Sequence, residues 1–288
     1  MTDPKEPIVD ANSEPRQILA TLEQRARRRF GQHFLTRMDV VQRIVRGADV
    51  RPGDRVVEIG PGLGVLTKAL LDAGAEVTAV ELDRDLAAWL RGAFAYAGDR
   101  FRLVEGDAVR VNWAETCPGA GWKCVSNLPY NVGTTLVVEL LRRPETFASV
   151  TVMLQKEVVD RMLAGAADEA YGSLSVYVTS RAEGRWITGV PPGAFHPPPK
   201  VSSGVVRLEL LAAPRVGPAG VDGFERVVRA AFAQRRKTIV NSLATAFDKE
   251  AALAALGVAG IDPGVRAERL DHDAFMRLAG ALWSSPPA

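Results

Sequence analysis

Cysteine and histidine are scarce in this chain of 288 residues, which has two cysteines and three histidines. Cys117 and Cys124 are spaced too widely for a C-x-x-C pair, and a structural metal site needs about four ligands. We therefore expect no metal. Both thiols should be reduced, the state that cysteines normally keep in the cytosol.

Long apolar runs and an excess of one charge are also missing. No run reaches the length of a transmembrane helix, although hydrophobic residues make up 47% of the chain, enough for a sizeable core. The net charge is only +2. A nucleic-acid partner would therefore have to bind local clusters of basic residues, because the protein as a whole carries little positive charge. The first 14 residues are polar and lack the apolar segment of an export signal. We expect a mobile tail over residues 1–24, no membrane association and a cytoplasmic location.

Short apolar runs alternate with helical stretches from Asp54 onward. The pattern predicts strands at 55–59, 76–80, 101–104, 123–126 and 150–154, and helices at 65–73, 84–96 and 134–142. Such alternation favours a parallel sheet covered on both faces, which is an α/β, Rossmann-like fold. Ligands of this class bind beyond the carboxyl ends of the strands. Two later strands, 185–190 and 204–211, are expected to form a hairpin at the edge of the sheet.

A Pro/Gly/Ala-rich stretch interrupts this pattern at residues 213–220 and is interpreted as a linker. The residues after it predict helices at 224–247, 249–256 and 273–283. We therefore expect a catalytic domain over residues 25–212 and a small all-helical C-terminal domain over residues 221–288.

A glycine-rich loop follows the first predicted strand and contains Gly60, Gly62 and Gly64. Glycines there let the backbone turn sharply and approach a ligand closely. A dinucleotide site has the spacing G-x-G-x-x-G, but here the third glycine comes one residue early and Val65 holds its place. This spacing disfavours a pyrophosphate and therefore a nicotinamide-dependent dehydrogenase. The alternative is a tight strand-to-helix turn without a ligand.

Two acidic residues end the next two predicted strands. Glu81, followed by Leu82, can accept hydrogen bonds from both hydroxyls of a ribose. Asp107, followed by Ala108, can accept from an adenine amine. Because these strand ends share one crevice with the glycine loop, they favour S-adenosylmethionine, an adenosine ligand without phosphate. Solvated carboxylates at strand ends are the alternative.

The fourth predicted strand leads into a segment suited to adenine methylation. Asn127, Leu128, Pro129 and Tyr130 combine a polar side chain, a stiffened turn and an aromatic ring. The exocyclic adenine amine is a poor nucleophile because its lone pair is delocalised. The Asn127 oxygen and the Leu128 carbonyl can accept its hydrogens, while Tyr130 can stack on a flipped-out base. The alternative is an asparagine-capped turn beside a core tyrosine.

These segments together resemble the bacterial small-subunit (16S) ribosomal RNA adenine N6,N6-dimethyltransferases of the kasugamycin-sensitivity type. The resemblance extends from about Arg29 to about Leu282, and the order and spacing of its segments are highly specific. The matching segments are residues 30–35, 58–67, 81–83, 106–108, 127–131, 154–159, 171–175, 195–201 and 234–238.

The resemblance implies further site residues. It places His33 and Leu35 against the cofactor, together with Gly60, Glu81, Asp107 and Asn127. It makes Phe195 the second aromatic face of the base site, opposite Tyr130. His33 departs from the family pattern, in which asparagine is expected, although histidine can also donate and accept hydrogen bonds.

Basic residues cluster in both parts of the chain. The candidates for RNA contact are Arg27, Arg28, Arg29, Lys200, Arg235, Arg236 and Lys237. Arginine and lysine clusters bind phosphates, so these residues could hold RNA. The alternative is a solvated charged surface without a partner.

The resulting hypothesis is an enzyme that dimethylates two adjacent adenosines near the 3′ end of 16S rRNA, within the small ribosomal subunit. We expect S-adenosylmethionine as its cofactor and a monomeric state. One alternative is a 23S rRNA adenine N6-methyltransferase that confers antibiotic resistance, but segments 171–175 and 234–238 favour the small-subunit type. Another is a ribosome-assembly binding factor in which catalysis is secondary.

Overall fold

The computed structural model of the chain describes Gln17, residues 33–234 and residues 236–284. The candidate RNA-binding residues Arg27, Arg28, Arg29 and Arg235 lie outside this range, as does nearly all of the expected tail over residues 1–24.

The main sheet has seven strands in the order β4-β3-β2-β5-β6-β9-β7. They are β2 (Arg55–Ile59), β3 (Glu76–Glu81), β4 (Phe101–Glu105), β5 (Trp122–Asn127), β6 (Phe147–Gln155), β7 (Ala182–Val190) and β9 (Ser203–Leu210). A separate pair consists of β1 (Phe34–Leu35) and β8 (Phe195–His196). The α/β fold and the five predicted parallel strands are confirmed.

Strands β2 to β6 are parallel to one another, so their carboxyl ends lie at one edge of the sheet. The chain builds β3 and β4 on one side of β2, then β5 and β6 on the other. Such a reversal between neighbouring strands is where ligands bind in this class of sheet. β9 joins antiparallel to β6, and β7 forms the edge, which places the two later strands side by side as predicted.

Five helices accompany these strands: α1 (Met38–Gly47), α2 (Val65–Asp72), α3 (Arg84–Ala93), α4 (Trp113–Thr116) and α5 (Gly133–Leu141). Asp83 caps the start of α3, because its carboxylate accepts hydrogen bonds from the backbone N–H groups of Asp85 and Leu86. Helix α1 was not predicted, although Val40, Val41 and Ile44 bury one of its faces with helical spacing.

The chain divides into two compact units. The first contains the described residues of Met1–Lys156 and Arg185–Glu209, and the second those of Glu157–Gly184 and Leu210–Ala288. Residues 157–184 were predicted to belong to the catalytic domain, but their contacts group them with the C-terminal helices.

The second unit is helical. It contains most of α6 (Lys156–Leu163), then α7 (Ser173–Arg181), α8 (Gly220–Ala231), α9 (Ile239–Leu243), α10 (Lys249–Val258) and α11 (His272–Ser284). Phe224, Ile239 and Phe275 are fully buried in its core. A buried ion pair joins Arg181 to Glu225 at 2.7 Å. None of the helices among the described residues is long and apolar enough to cross a bilayer.

The predicted single helix over residues 224–247 is wrong. The structure has two helices, α8 and α9, which are separated by residues 232–238. The backbone N–H of Ile239 donates to the carbonyl of Val265 at 2.7 Å, so a tertiary hydrogen bond replaces the one that a continuous helix would make. The linker prediction also extends one residue too far, because α8 begins at Gly220.

Candidate functional site

A cavity of about 710 Å³ lies in the first unit, at the carboxyl ends of β2, β3, β4 and β5. Its size is within the usual range for small-molecule sites, which is roughly 300–1,000 Å³. Of the site residues that the sequence predicted, those lining the cavity are His33, Leu35, Gly60, Gly62, Glu81, Leu82, Asp107, Ala108, Asn127, Leu128, Pro129, Tyr130 and Phe195. Gly64 and Lys200 do not line it.

The glycine loop shapes one wall of the cavity. Gly62 has a φ of +59°, and a Cβ there would lie 3.2 Å from the Phe34 ring. Gly64 has a φ of +80°, and its Cβ would lie 2.7 Å from Cζ of Phe94 in the core. Both positions therefore require glycine, but Gly64 is needed for packing behind the loop rather than for lining the cavity.

Glu81 is a buried carboxylate at the end of β3. Its Oε1 accepts from the backbone N–H of Asp83 at 2.9 Å, and its Oε2 accepts from that of Gly62 at 3.3 Å. Burial raises the pKa of Glu81, and these two backbone donors oppose that rise. Glu81 therefore holds the glycine loop against the end of β3 and still presents further lone pairs to the cavity.

Glu58 is a second buried acid in the cavity wall, and it is not among the site residues predicted from the sequence. The hydroxyl of Thr67 donates to its Oε2 at 2.5 Å. Burial is the main cause that raises the pKa of Glu58 to about 8; the hydrogen bond from Thr67 opposes this rise, and the nearby charge of Glu81 adds to it. The sequence does contain a sign of this buried acid, because Glu58 is a carboxylate within the otherwise apolar end of β2.

We predict that Glu58 makes the free energy of unfolding decrease with pH. Its pKa is about 8 when folded and 4.5 as a free side chain, so between these values only the folded protein keeps the proton. The unfolded state then binds fewer protons, and stability falls as pH rises, by at most about 1.4 kcal/mol per pH unit. Glu58→Gln removes this titrating group but keeps an acceptor for Thr67. The free energy of unfolding of the variant, relative to that of the wild type, should therefore increase from pH 5 to pH 8.

Urea unfolding of both proteins at each pH checks this prediction. Glu76→Gln is the matched control, because Glu76 is exposed at the start of β3. Parallel pH profiles for Glu58→Gln and the wild type would show that Glu58 is ionised in the folded protein throughout this range.

Asp107 lies just beyond β4 and is half-buried. Its Oδ1 accepts from the backbone N–H of Val109 at 3.0 Å, and Oδ2 lies 3.7 Å from Nε of Arg110. Among the described residues that line the cavity, Arg110 is the one arginine or lysine, against the acidic side chains of Glu81, Asp83 and Asp107. Glu58 adds little negative charge at neutral pH, because its pKa of about 8 keeps it mostly protonated. The cavity therefore suits a ligand with positive charge and disfavours phosphate groups.

Asn127 is the last residue of β5, where it pairs with Met153 of β6. The next residue is also held, since the backbone N–H of Leu128 donates to the Met153 carbonyl at 3.2 Å. Tyr130 lies in the turn that begins at Pro129, and its hydroxyl shares a hydrogen bond of 2.6 Å with the Ser203 hydroxyl. The sheet thus positions a polar side chain and an aromatic ring on one wall of the cavity.

The β1–β8 pair brings His33, Leu35 and Phe195 into the lining of the cavity. Leu35 pairs with Phe195 in the register of the two strands, and Phe195 is almost fully buried. Nδ1 of His33 lies 2.7 Å from the carbonyl oxygen of Pro197, and its ring centroid is 6.1 Å from that of Tyr130. The cavity therefore has aromatic rings contributed by two distant parts of the sequence.

The remaining basic candidates are not among the residues that line the cavity. Lys200 is exposed between β8 and β9. Arg236 and Lys237 are exposed in the second unit, in the segment that separates α8 from α9 rather than inside a helix.

The described residues contain no group of three or more His, Cys, Asp or Glu side chains that could hold a metal ion. Cys117 and Cys124 are buried free thiols, as expected, and burial raises the pKa of each to about 12.

Comparison with known proteins identifies close relatives. A family model described as "Ribosomal RNA adenine dimethylase" matches residues 23–282. Two proteins named "Ribosomal RNA small subunit methyltransferase A" align along most of the chain. The one from Syntrophotalea carbinolica is 43% identical and covers 90% of this chain and 97% of its own length. The one from Methylococcus capsulatus is 46% identical, with coverages of 89% and 97%.

Two solved structures share the fold of most of the chain. A dimethyladenosine transferase from Plasmodium falciparum superposes with a TM-score of 0.73 at 26% identity, covering 85% of this chain and 96% of its own. The 23S rRNA methyltransferase ErmE superposes with a TM-score of 0.67 at 27% identity, with coverages of 86% and 99%.

Proposed function

The chain belongs to the ribosomal RNA adenine dimethylase family, and we propose that it methylates the N6 amines of two adjacent adenosines near the 3′ end of small-subunit (16S) rRNA. S-adenosylmethionine is the proposed methyl donor, and the protein acts as a cytoplasmic monomer during ribosome biogenesis. The observation that carries the proposal is one cavity that combines buried carboxylates, an asparagine at a strand end and aromatic rings.

The residues of the cavity fit S-adenosylmethionine. This molecule has no phosphate and carries a positive sulfur, which matches the excess of acidic side chains around the glycine loop. Glu81 accepts from the ribose hydroxyls, and Asp107 accepts from the adenine amine. Gly60 and Gly62 allow the loop to approach the ligand closely, since a Cβ at Gly62 would already crowd the Phe34 ring.

Bound S-adenosylmethionine supplies a methyl group on a positively charged sulfur, which is an excellent leaving group. The chain's own residues prepare the acceptor amine. The Asn127 oxygen and the Leu128 carbonyl accept its two hydrogens, which concentrates the lone pair on nitrogen and aligns it for attack. Positive charge then develops on the amine, and adjacent aromatic faces stabilise it.

Tyr130 and Phe195 hold the target adenine after it leaves its stack. Tyr130 provides a half-exposed ring at the wall, and Phe195 provides a ring from the β8 strand. Stacking on aromatic side chains contributes roughly 1–3 kcal/mol per base. Single-stranded loops allow this extrusion more readily than helices do.

The small subunit is favoured over the large subunit as the substrate. The chain is 43–46% identical to proteins named as small-subunit methyltransferases, but 27% identical to the 23S rRNA methyltransferase ErmE. The segments at 171–175 and 234–238 also match the small-subunit type.

Methyl transfer to purified ribosomal subunits tests this choice. The protein and radiolabelled S-adenosylmethionine are incubated with small or large subunits from cells that lack the corresponding modification. We expect label in the small subunit alone. Label confined to the large subunit would support the resistance-type alternative, and tight particle binding without label would support an assembly factor.

The basic segment between α8 and α9 is proposed to contact RNA phosphates. We predict that the double change Arg236→Glu, Lys237→Glu weakens binding to small subunits and makes the affinity less dependent on salt. The variant forms fewer phosphate contacts, so fewer counterions are released when it binds. Cofactor affinity should not change, since neither residue lines the cavity. Filter binding over a salt series measures the slope.

Lys249→Glu is the matched control, because Lys249 is an exposed lysine at the start of α10 in the same unit. If the double variant keeps the wild-type slope but melts at a lower temperature, Arg236 and Lys237 stabilise the unit rather than contact RNA.

A further inference from the structure

A hydrogen bond within the first unit connects the aromatic wall of the cavity to the sheet. The Tyr130 hydroxyl and the Ser203 hydroxyl lie 2.6 Å apart, although 73 residues separate them in sequence. Ser203 is fully buried, whereas Tyr130 is only half-buried and lines the cavity. The bond therefore joins a ring that can contact a ligand to a position that ligands cannot reach.

Ser203 is itself held rigidly. It is the first residue of β9 and pairs with Gln155 of β6 in the antiparallel register. The neighbouring Ser202 carbonyl accepts from the backbone N–H of Lys156 at 2.9 Å. A hydroxyl mounted on a paired strand can define the direction of its partner more sharply than a hydroxyl on a loop can.

The Tyr130 ring needs such a restraint because Tyr130 lies in a turn rather than in a strand. Burial raises the pKa of Tyr130, so the hydroxyl keeps its proton at neutral pH and remains able to share it with Ser203. A phenol held at its oxygen retains little freedom to tilt. The face that it presents to the cavity is then set before any base arrives.

We propose that Ser203 is a positioning residue for methyl transfer, which holds the Tyr130 ring in the orientation that stacks on the extruded adenine. Ser203 touches neither the base nor the cofactor in this assignment. The inference rests on the proposed function and deepens it, because it explains how the stacking surface is oriented before substrate binding.

A hydrogen bond that only satisfies two polar groups would affect folding but not the chemistry. Three variants separate these roles: Ser203→Ala, Tyr130→Phe and the double variant. Tyr130→Phe keeps the ring and removes only the bond. Ser202→Ala is the matched control, because it makes the same change at the preceding, exposed residue.

The experiment measures kcat and KM for methylation of small subunits, together with S-adenosylmethionine affinity by calorimetry. Each single variant should lower kcat by about 3- to 10-fold, the effect of one lost hydrogen bond. KM should remain near the wild-type value, since phosphate contacts dominate particle binding. The double variant should be no slower than the slower single variant, because both changes remove the same bond.

Two results would overturn the inference. Multiplicative losses in the double variant would mean that the hydroxyls act independently, and full activity of Tyr130→Phe would mean that the bond has no role in catalysis. If Ser203→Ala does not fold, Tyr130→Phe alone still decides the second point. A wild-type protein that binds cofactor but methylates no subunit would contradict the proposed function itself. Failure of the proposed function can thus be distinguished from failure of the inference about Ser203.

Discussion

Asn127→Ala is expected to abolish most methyl transfer while leaving S-adenosylmethionine binding largely intact. The side chain stands at the end of β5 in the cavity wall, where its oxygen can accept a hydrogen of the target amine. Loss of one preorganised acceptor typically lowers a rate by about 100-fold or more. Single-turnover methylation of small subunits measures the rate, and calorimetry measures the cofactor affinity.

Asn241→Ala is the control for this prediction, because Asn241 is an exposed asparagine of α9 in the second unit. It should react at the wild-type rate. Wild-type turnover by Asn127→Ala would rule out the amine-polarising role and leave Asn127 as a structural residue at a strand end.

Glu81→Ala should weaken S-adenosylmethionine binding by about 100-fold or more. Hydrogen bonds to a charged acceptor contribute about 1.5–3 kcal/mol each, and the ribose offers two hydroxyls. The substitution also removes the acceptors of the Gly62 and Asp83 backbone N–H groups, so the glycine loop loses its tie to β3. Both effects act in the same direction, and calorimetry on the purified variant measures their sum.

Glu76→Ala provides the comparison on the same strand, since Glu76 is exposed at the opposite end of β3. Its affinity should match that of the wild type. Unchanged affinity in Glu81→Ala would mean that the ribose lies elsewhere, even if the loop is disturbed.

The part of the cavity lining at the ends of β2, β3 and β5 could be predicted from sequence, because these three strands have a clear apolar pattern. Asn127, Glu81 and the glycine loop end strands that are buried on both faces, and parallel order alone brings them to one edge. Predicting this part of the site therefore required only the parallel arrangement of the strands and no other long-range contact.

The features that the sequence did not predict depend on contacts between distant residues. The break before α9 arises from the Ile239–Val265 hydrogen bond, which no local pattern contains. The bond between Tyr130 and Ser203 is equally invisible in the sequence. Gly64 matched a ligand-binding motif, but only the position of Phe94 shows that it is required for packing.

The raised pKa of Glu58 also depends on the fold and could not be predicted from the sequence. Its place in an apolar strand marks it as unusual, but the upward shift comes from full burial and from the nearby Glu81. Sequence reasoning identifies which side chains end the strands, whereas the fold decides how far each is desolvated.

Mass spectrometry of small-subunit rRNA tests the central claim most directly. Small subunits that lack the modification are treated with the protein and isotopically labelled S-adenosylmethionine, and the rRNA is digested and mapped. We predict N6,N6-dimethyladenosine carrying label at two adjacent positions near the 3′ end of the small-subunit rRNA. Label on any other base, or on adenosines of the large-subunit rRNA instead, would contradict this account.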